Sequence, residues 1–123
     1  MAIHQLPVRT DALAAQLHDW GAVGAPLSTP ACQLRGARMV LPWPGQPEAG
    51  VWECSPGRYR RQIRSAELMH ILAGEAVFTP DGGEPLELRA GDVYFFEAET
   101  LGVWDIRTTV RKVIAGLVER GFL

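Results

Sequence analysis

Three groups of residues in this sequence could do chemistry. The first is Glu67, in Arg64-Ser-Ala-Glu-Leu-Met-His-Ile-Leu-Ala-Gly74. As an unpaired carboxylate in a pocket it would serve as general acid or base; paired with a cation it would orient a substrate. It is the candidate catalytic residue. The second group is Arg58, Arg60, Arg61 and Arg64, four of the chain's eleven arginines within seven positions. A guanidinium binds a carboxylate through two parallel hydrogen bonds, so an inward arginine would clamp an anion. The other reading is a solvated edge strand whose charges block aggregation. The third group is aromatic: Trp52, Tyr59, Tyr94 and Trp104, either core residues or pocket walls.

Strand alternation sorts these residues. Arg58, Arg60, Gln62 and Arg64 share one face, and Tyr59, Arg61 and Ile63 the other. Arg61, beside an aromatic and an aliphatic neighbour, is the arginine expected to point inward, with Glu67 as its natural partner. His70 lies three residues after Glu67, so a regular strand sends the two side chains to opposite faces. His70 is therefore either a structural strand histidine or, across a bulge, a second ligand beside Glu67. The remaining histidines, His4 and His18, fall in an N-terminal segment expected to lie outside the barrel. Cys32 and Cys54 lack zinc spacing and thiolate-activating neighbours, and read as reduced, inert thiols.

A chain of 123 residues, 47% hydrophobic, suits one domain with a sizeable core. A net charge of -2 gives no general attraction to nucleic acid or anionic membrane. No apolar run approaches membrane-spanning length, and the N-terminus carries no signal-peptide pattern. The expected compartment is the cytoplasm.

Thr10 and Asp11 could cap a short helix running to about Trp20 and ended by Gly21, followed by a Gly/Ala/Pro-rich arm to Pro30. From about residue 33 the pattern is β. Nine short runs rich in β-branched and aromatic residues are separated by turn residues: Leu34–Leu41, Val51–Cys54, Arg58–Arg64, Leu68–Leu72, Glu75–Thr79, Leu86–Arg89, Val93–Phe96, Val103–Ile106 and Val110–Val118. Asp81-Gly82 and Gly91-Asp92 mark tight turns. The last run is the most hydrophobic and should be a central strand. Trp43, between two prolines, could cap the barrel mouth or a subunit contact. The division expected is an arm with a short helix over 1–32 and an all-β barrel over 33–123.

The order and spacing of several motifs resemble a cupin, a jelly-roll-like double-stranded β-helix. More narrowly they resemble the ureidoglycine aminohydrolase cupin-domain family. The matching pieces are Gly50-Val-Trp-Glu-Cys-Ser-Pro-Gly57, Ala66-Glu67 with the strand ending at Gly74, Gly91-Asp-Val-Tyr94, Gly102-Val-Trp-Asp105 and Val110-Arg-Lys-Val113, within roughly 33–118. The resemblance implies a central pocket, which in many cupins holds a divalent metal on three histidines and a glutamate. Carried over residue by residue, only the glutamate remains, as Glu67. The paired histidine positions fall on Arg60 and Gln62, or on Arg61 and Ile63, and the second-motif histidine falls on Gly102. That motif's proline and glycine fall on Glu97 and Glu99.

The expectation is a cupin-fold protein that binds a small anionic or ureide-like molecule in its barrel. The ligand-binding residues would be Arg61, Tyr59, Trp52, Tyr94, Trp104 and His70, without a resident cofactor. If a divalent metal is present, Glu67 and His70 would hold it, or Glu67, Glu97 and Glu99 for a hard cation. The alternatives are a metal-dependent aminohydrolase acting on a small amide or ureide, and a regulatory module acting through a partner, since no helix-turn-helix pair is present. A homodimer is expected, formed through the arm and an uncovered hydrophobic strand such as Val110–Val118.

Overall fold

The computed structural model describes residues 17–39 and 48–116, with isolated positions 3, 5, 6 and 8. Ten strands follow one another: β1 His18–Ala22, β2 Gln33–Met39, β3 Glu48–Cys54, β4 Gly57–Ile63, β5 Glu67–Ala73, β6 Glu75–Pro80, β7 Leu86–Arg89, β8 Val93–Phe96, β9 Thr100–Ile106 and β10 Val110–Gly116. They pair antiparallel into a six-stranded sheet, ordered β1-β2-β3-β10-β5-β8, and a four-stranded sheet, ordered β4-β9-β6-β7. The all-β class and the jelly-roll-like pair of sheets follow the expectation from sequence. The nine expected strands correspond to β2–β10. Val40, Leu41, Trp43, Leu117 and Val118 lie outside the described residues.

The N-terminal helix is corrected at its C-terminal end. His18–Ala22 is strand β1, paired with β2 from His18 opposite Gly36 to Ala22 opposite Gln33. A short apolar period cannot separate helix from strand, and here the edge of β2 supplies hydrogen-bond partners that an isolated helix of this length would lack. His18 is accordingly part of the sheet and not outside it. The remainder of the expected helix, with Thr10, Asp11 and Leu13, lies outside the described residues, as does His4.

Alternation along each strand builds the core. Met69, Ile71, Phe78, Leu88, Trp104, Ile106 and Val110 are all at most 2% exposed. Phe78 meets Trp104 edge-on at 4.9 Å, Phe96 stacks on Trp104 at 5.8 Å, and Phe78 meets Phe96 edge-on at 5.1 Å. Each such pair contributes about 0.5–1.5 kcal/mol beyond its buried area. This triad joins β9 and β6 of one sheet to β8 of the other.

The turns are set by glycine and aspartate. Gly74 separates β5 from β6 at φ 88°, and a Cβ there would collide with the Thr109 carbonyl, so only glycine fits. At the Gly91-Asp92 turn, Asp92 Oδ2 accepts a hydrogen bond from the Arg89 amide at 3.0 Å. At Asp81-Gly82 the Asp81 carboxylate is held by Arg60 at 2.7 Å on the outer face of β4. Arg58, Arg60 and Gln62 are exposed, on the face expected for them.

Strand β10 lies between β3 and β5, with both edges hydrogen-bonded. It is the central strand expected. Its edges are thus taken along the described part of the strand, which leaves only its faces for the expected contact with a second copy.

Candidate functional site

One end of the space between the sheets stays open as a cavity of about 340 Å³. The inward positions of β4 supply Tyr59, Arg61 and Ile63, and β9 supplies Trp104. From the larger sheet come Trp52 on β3, Glu67 on β5 and Lys112 on β10. Trp20 of β1 and Arg38 of β2 form the far rim.

Lys112 is the centre of this arrangement. It sits opposite Trp52 on β3 and opposite Ile71 on β5, and is only 3% exposed. Its Nζ lies 4.2 Å from the Trp52 ring centroid and 4.4 Å from that of Trp104. Both rings present electron-rich faces to the ammonium, which offsets part of the cost of enclosing it. Among the described residues its hydrogen-bond acceptor is the Met69 sulfur at 3.7 Å, a weak one. Burial pushes the Lys112 pKa down to about 8, with Glu67 raising it and Arg61 lowering it further.

Arg61 and Glu67 form the polar side of the cavity. Arg61 Nη2 lies 3.3 Å from Glu67 Oε2, with Glu67 14% and Arg61 46% exposed at their side chains. The inward arginine and its carboxylate partner are thus those the alternation of β4 indicated. The contact uses one guanidinium nitrogen and one carboxylate oxygen, so Arg61 retains donors for a second acceptor.

On the far rim the Trp20 ring lies against Gly36, where any Cβ would strike the indole. Arg38 stacks over Trp20 at 6.0 Å. Tyr59 is 4% exposed, and burial holds its phenol well above the ordinary value. Cys54 and Cys32, both free and fully buried, adjoin it; burial pushes both thiols up, which leaves them unreactive, as expected from their neighbours in sequence.

Of the residues singled out in the sequence, Glu67, Arg61, Tyr59, Trp52 and Trp104 come together in the cavity. Tyr94 and His70 do not line it. The Tyr94 hydroxyl donates to the Glu87 carbonyl at 2.8 Å, with Asp92 Oδ2 at 3.2 Å, which ties it to the β7–β8 turn. His70 is exposed on the opposite face of β5 from Glu67, across from Val93 and Val113. The register between Glu67 and His70 is unbroken, so no bulge turns His70 inward. Sequence reasoning missed Lys112, Trp20 and Arg38. A signal for Lys112 was present: it is the chain's only lysine, set in its most apolar run.

Residues 44–113 match the EutQ-like cupin domain. The chain belongs to this cupin family. No curated protein matches it. Among solved structures, the cupin is similar to a DUF861-family protein of unknown function from Pseudomonas syringae, at 24% identity and TM-score 0.72. That likeness covers 81% of this chain and 43% of the other, so the cupin spans less than half the length of that relative. It is similar to a putative ethanolamine utilization protein from Salmonella typhimurium, at 20% identity and TM-score 0.63, over 79% of this chain and 76% of the other. It is also similar to the EutQ protein of Clostridium difficile, at 12% identity and TM-score 0.65, over 78% of each chain. At these identities the likeness establishes the cupin fold.

The ligand set of the usual cupin metal is not assembled among the described residues. Among the described residues no three His, Cys, Asp or Glu side chains group as a metal site requires. Glu99 is engaged by Gln62 Nε2 at 2.8 Å and Glu97 is exposed, so neither joins Glu67. At Gly102, where the second-motif histidine would stand, a Cβ would lie 2.6 Å from the Phe78 ring and 2.5 Å from the Thr79 carbonyl oxygen. The interior instead carries a cation of its own, the Lys112 ammonium. Among the described residues no helix is long and apolar enough to cross a membrane.

Proposed function

We propose that this cupin binds a small organic anion in the barrel, held between Arg61 and Lys112, without a metal as intermediary. The observation that supports this most strongly is the enclosed Lys112 ammonium. Among the described residues the cavity is lined by the cationic side chains Arg61 and Lys112, with Arg38 at its rim, and by the carboxylate Glu67, which is paired with Arg61. An enclosed cation whose close contacts are two aromatic faces and a sulfur gains most from an incoming carboxylate. The walls of Trp20, Trp52 and Trp104 suit a flat or apolar remainder, and about 340 Å³ accommodates only a small molecule. Glu67 would accept a hydrogen bond from an amide or hydroxyl on the ligand, which keeps ureide-like acids within the class.

The two buried, free cysteines suit a reducing compartment, so the cytoplasm belongs to the same reading. So does pairing of two chains. Leu68, Val93 and Phe95 stand 44%, 58% and 54% exposed on the outer face of β5 and β8, and sedimentation velocity of wild-type and Phe95→Glu protein decides that point.

Calorimetric titration with small carboxylates and ureido acids tests the reading, after elemental analysis of the protein for bound metal. Arg61→Met is expected to weaken carboxylate binding by about tenfold or more. Stoichiometric metal, or carboxylate affinity unaltered in Arg61→Met, would overturn it.

A further inference from the structure

We propose that Lys112 captures a small 2-oxo acid as a reversible imine, with the acid's carboxylate held by Arg61. The inference rests on the anion-binding reading above and deepens it by naming the substrate class.

The argument begins with the choice of residue. Every other side-chain cation in the chain, apart from three histidines, is an arginine: eleven arginines against one lysine. A guanidinium would serve as well as an ammonium for holding an anion, and its fork would grip one better. What a lysine adds is a primary amine that can lose its proton and attack a carbonyl carbon. That one amine is placed where attack is favoured. Lys112 lines the cavity while only 3% exposed, so the cavity is its approach route. Its ammonium is contacted by rings and a sulfur, and among the described residues no carboxylate is hydrogen-bonded to it to lock it in the charged form. With its pKa pushed down to about 8, a useful fraction of neutral amine exists near neutral pH. Arg61, on the facing sheet, provides the carboxylate anchor that sets a 2-oxo acid apart from a simple aldehyde.

The step balances without a co-reactant. The Lys112 ammonium releases a proton to solvent in the cavity. The free amine forms a bond to the carbonyl carbon as the C=O π bond breaks; the nitrogen then gives up one proton and the oxygen takes one, giving a neutral carbinolamine. The carbon–oxygen bond then breaks, the nitrogen lone pair forms the double bond, and the oxygen leaves as water with a second proton. In sum, an ammonium and a ketone or aldehyde become a protonated imine and one water.

The 123-residue chain permits a clean test, because Lys112 and its terminal amine are the aliphatic primary amines in this sequence. The protein is incubated with glyoxylate or pyruvate and sodium cyanoborohydride, and the adduct is located by intact-mass and peptide mass spectrometry. In parallel, glycolate and lactate, which cannot form imines, are titrated by calorimetry. The expected result is one saturable adduct on Lys112, suppressed by lactate, reduced about tenfold or more in Arg61→Met, and absent in Lys112→Arg. Its rate should rise from pH 6 to pH 9, as the ammonium faced by Glu67 from β5, Arg61 from β4 and Cys54 from β3 loses its proton. Glycolate or lactate binding with no Lys112 adduct would overturn the imine and leave the anion-binding reading intact. A Lys112 adduct insensitive to both Arg61→Met and lactate would overturn the 2-oxo acid as substrate. Absence of both adduct and carboxylate binding would sink the two readings together.

Discussion

Lys112 places function and stability in opposition. In the folded chain its proton is released at about pH 8, against an ordinary lysine value of 10.5. Between those values the unfolded chain binds more protons than the folded one, so stability rises with pH across that window. Below it, the full cost of an enclosed ammonium is present. Lys112→Met fills similar volume without the charge. It is expected to raise stability at pH 7 by about 1–2 kcal/mol, less than the depressed pKa alone implies because the two indole contacts are lost as well. Urea denaturation at pH 7 and above pH 10 checks this: the gain should shrink toward the higher pH. A loss of stability at neutral pH would mean that the rings stabilise the charge more than burial costs. The sequence disclosed Arg61 and Glu67 because period-two alternation places an arginine between Tyr59 and Ile63. It concealed Lys112, because Arg111 and Lys112 stand side by side in Val110–Gly116, and alternation alone does not say which of the two faces the interior. The interior charge is decided by Trp52, far away in sequence, and by Trp104, which sits on the preceding strand but in the other sheet.

At the scale of elements, β6 and β9 approach so closely that Gly102 admits no side chain. The Phe78 ring fills the place where a cupin histidine would project. Gly102→His is therefore expected to destabilise the protein by about 1–3 kcal/mol through overpacking and to create no metal site. Thermal unfolding with and without manganese or zinc measures both effects; a metal-dependent rise in the midpoint would contradict the packing argument. Strands β2–β10 were legible because turn residues punctuate them and each stands on its own local pattern. Strand β1 was not, since His18–Ala22 is a strand only by virtue of the β2 edge beside it, a contact no local window contains. Trp20 was missed with it, and with Trp20 one wall of the cavity.

For the molecule as a whole, charge is distributed against its average. The chain is net negative at -2, yet among the described residues the cavity lining carries more cations than carboxylates. The two sheets enclose that positive interior, and Lys112 is screened little by salt because water scarcely reaches it. Raising ionic strength from about 0.05 M to about 0.5 M should thus weaken carboxylate binding only a few-fold, with the loss carried by the more exposed Arg61. Calorimetry over that range checks it, and a loss of about a hundredfold or more would place the anion on the surface instead.

The three indoles around the cavity have an optical consequence. The three tryptophans among the described residues, Trp20, Trp52 and Trp104, all line the cavity. Two of them touch the amine whose protonation and occupancy decide what the site can do. The ultraviolet emission of this protein is therefore dominated by its own binding chamber. Filling, emptying or deprotonating that chamber should alter the colour and yield of the light it gives off, with no dye attached.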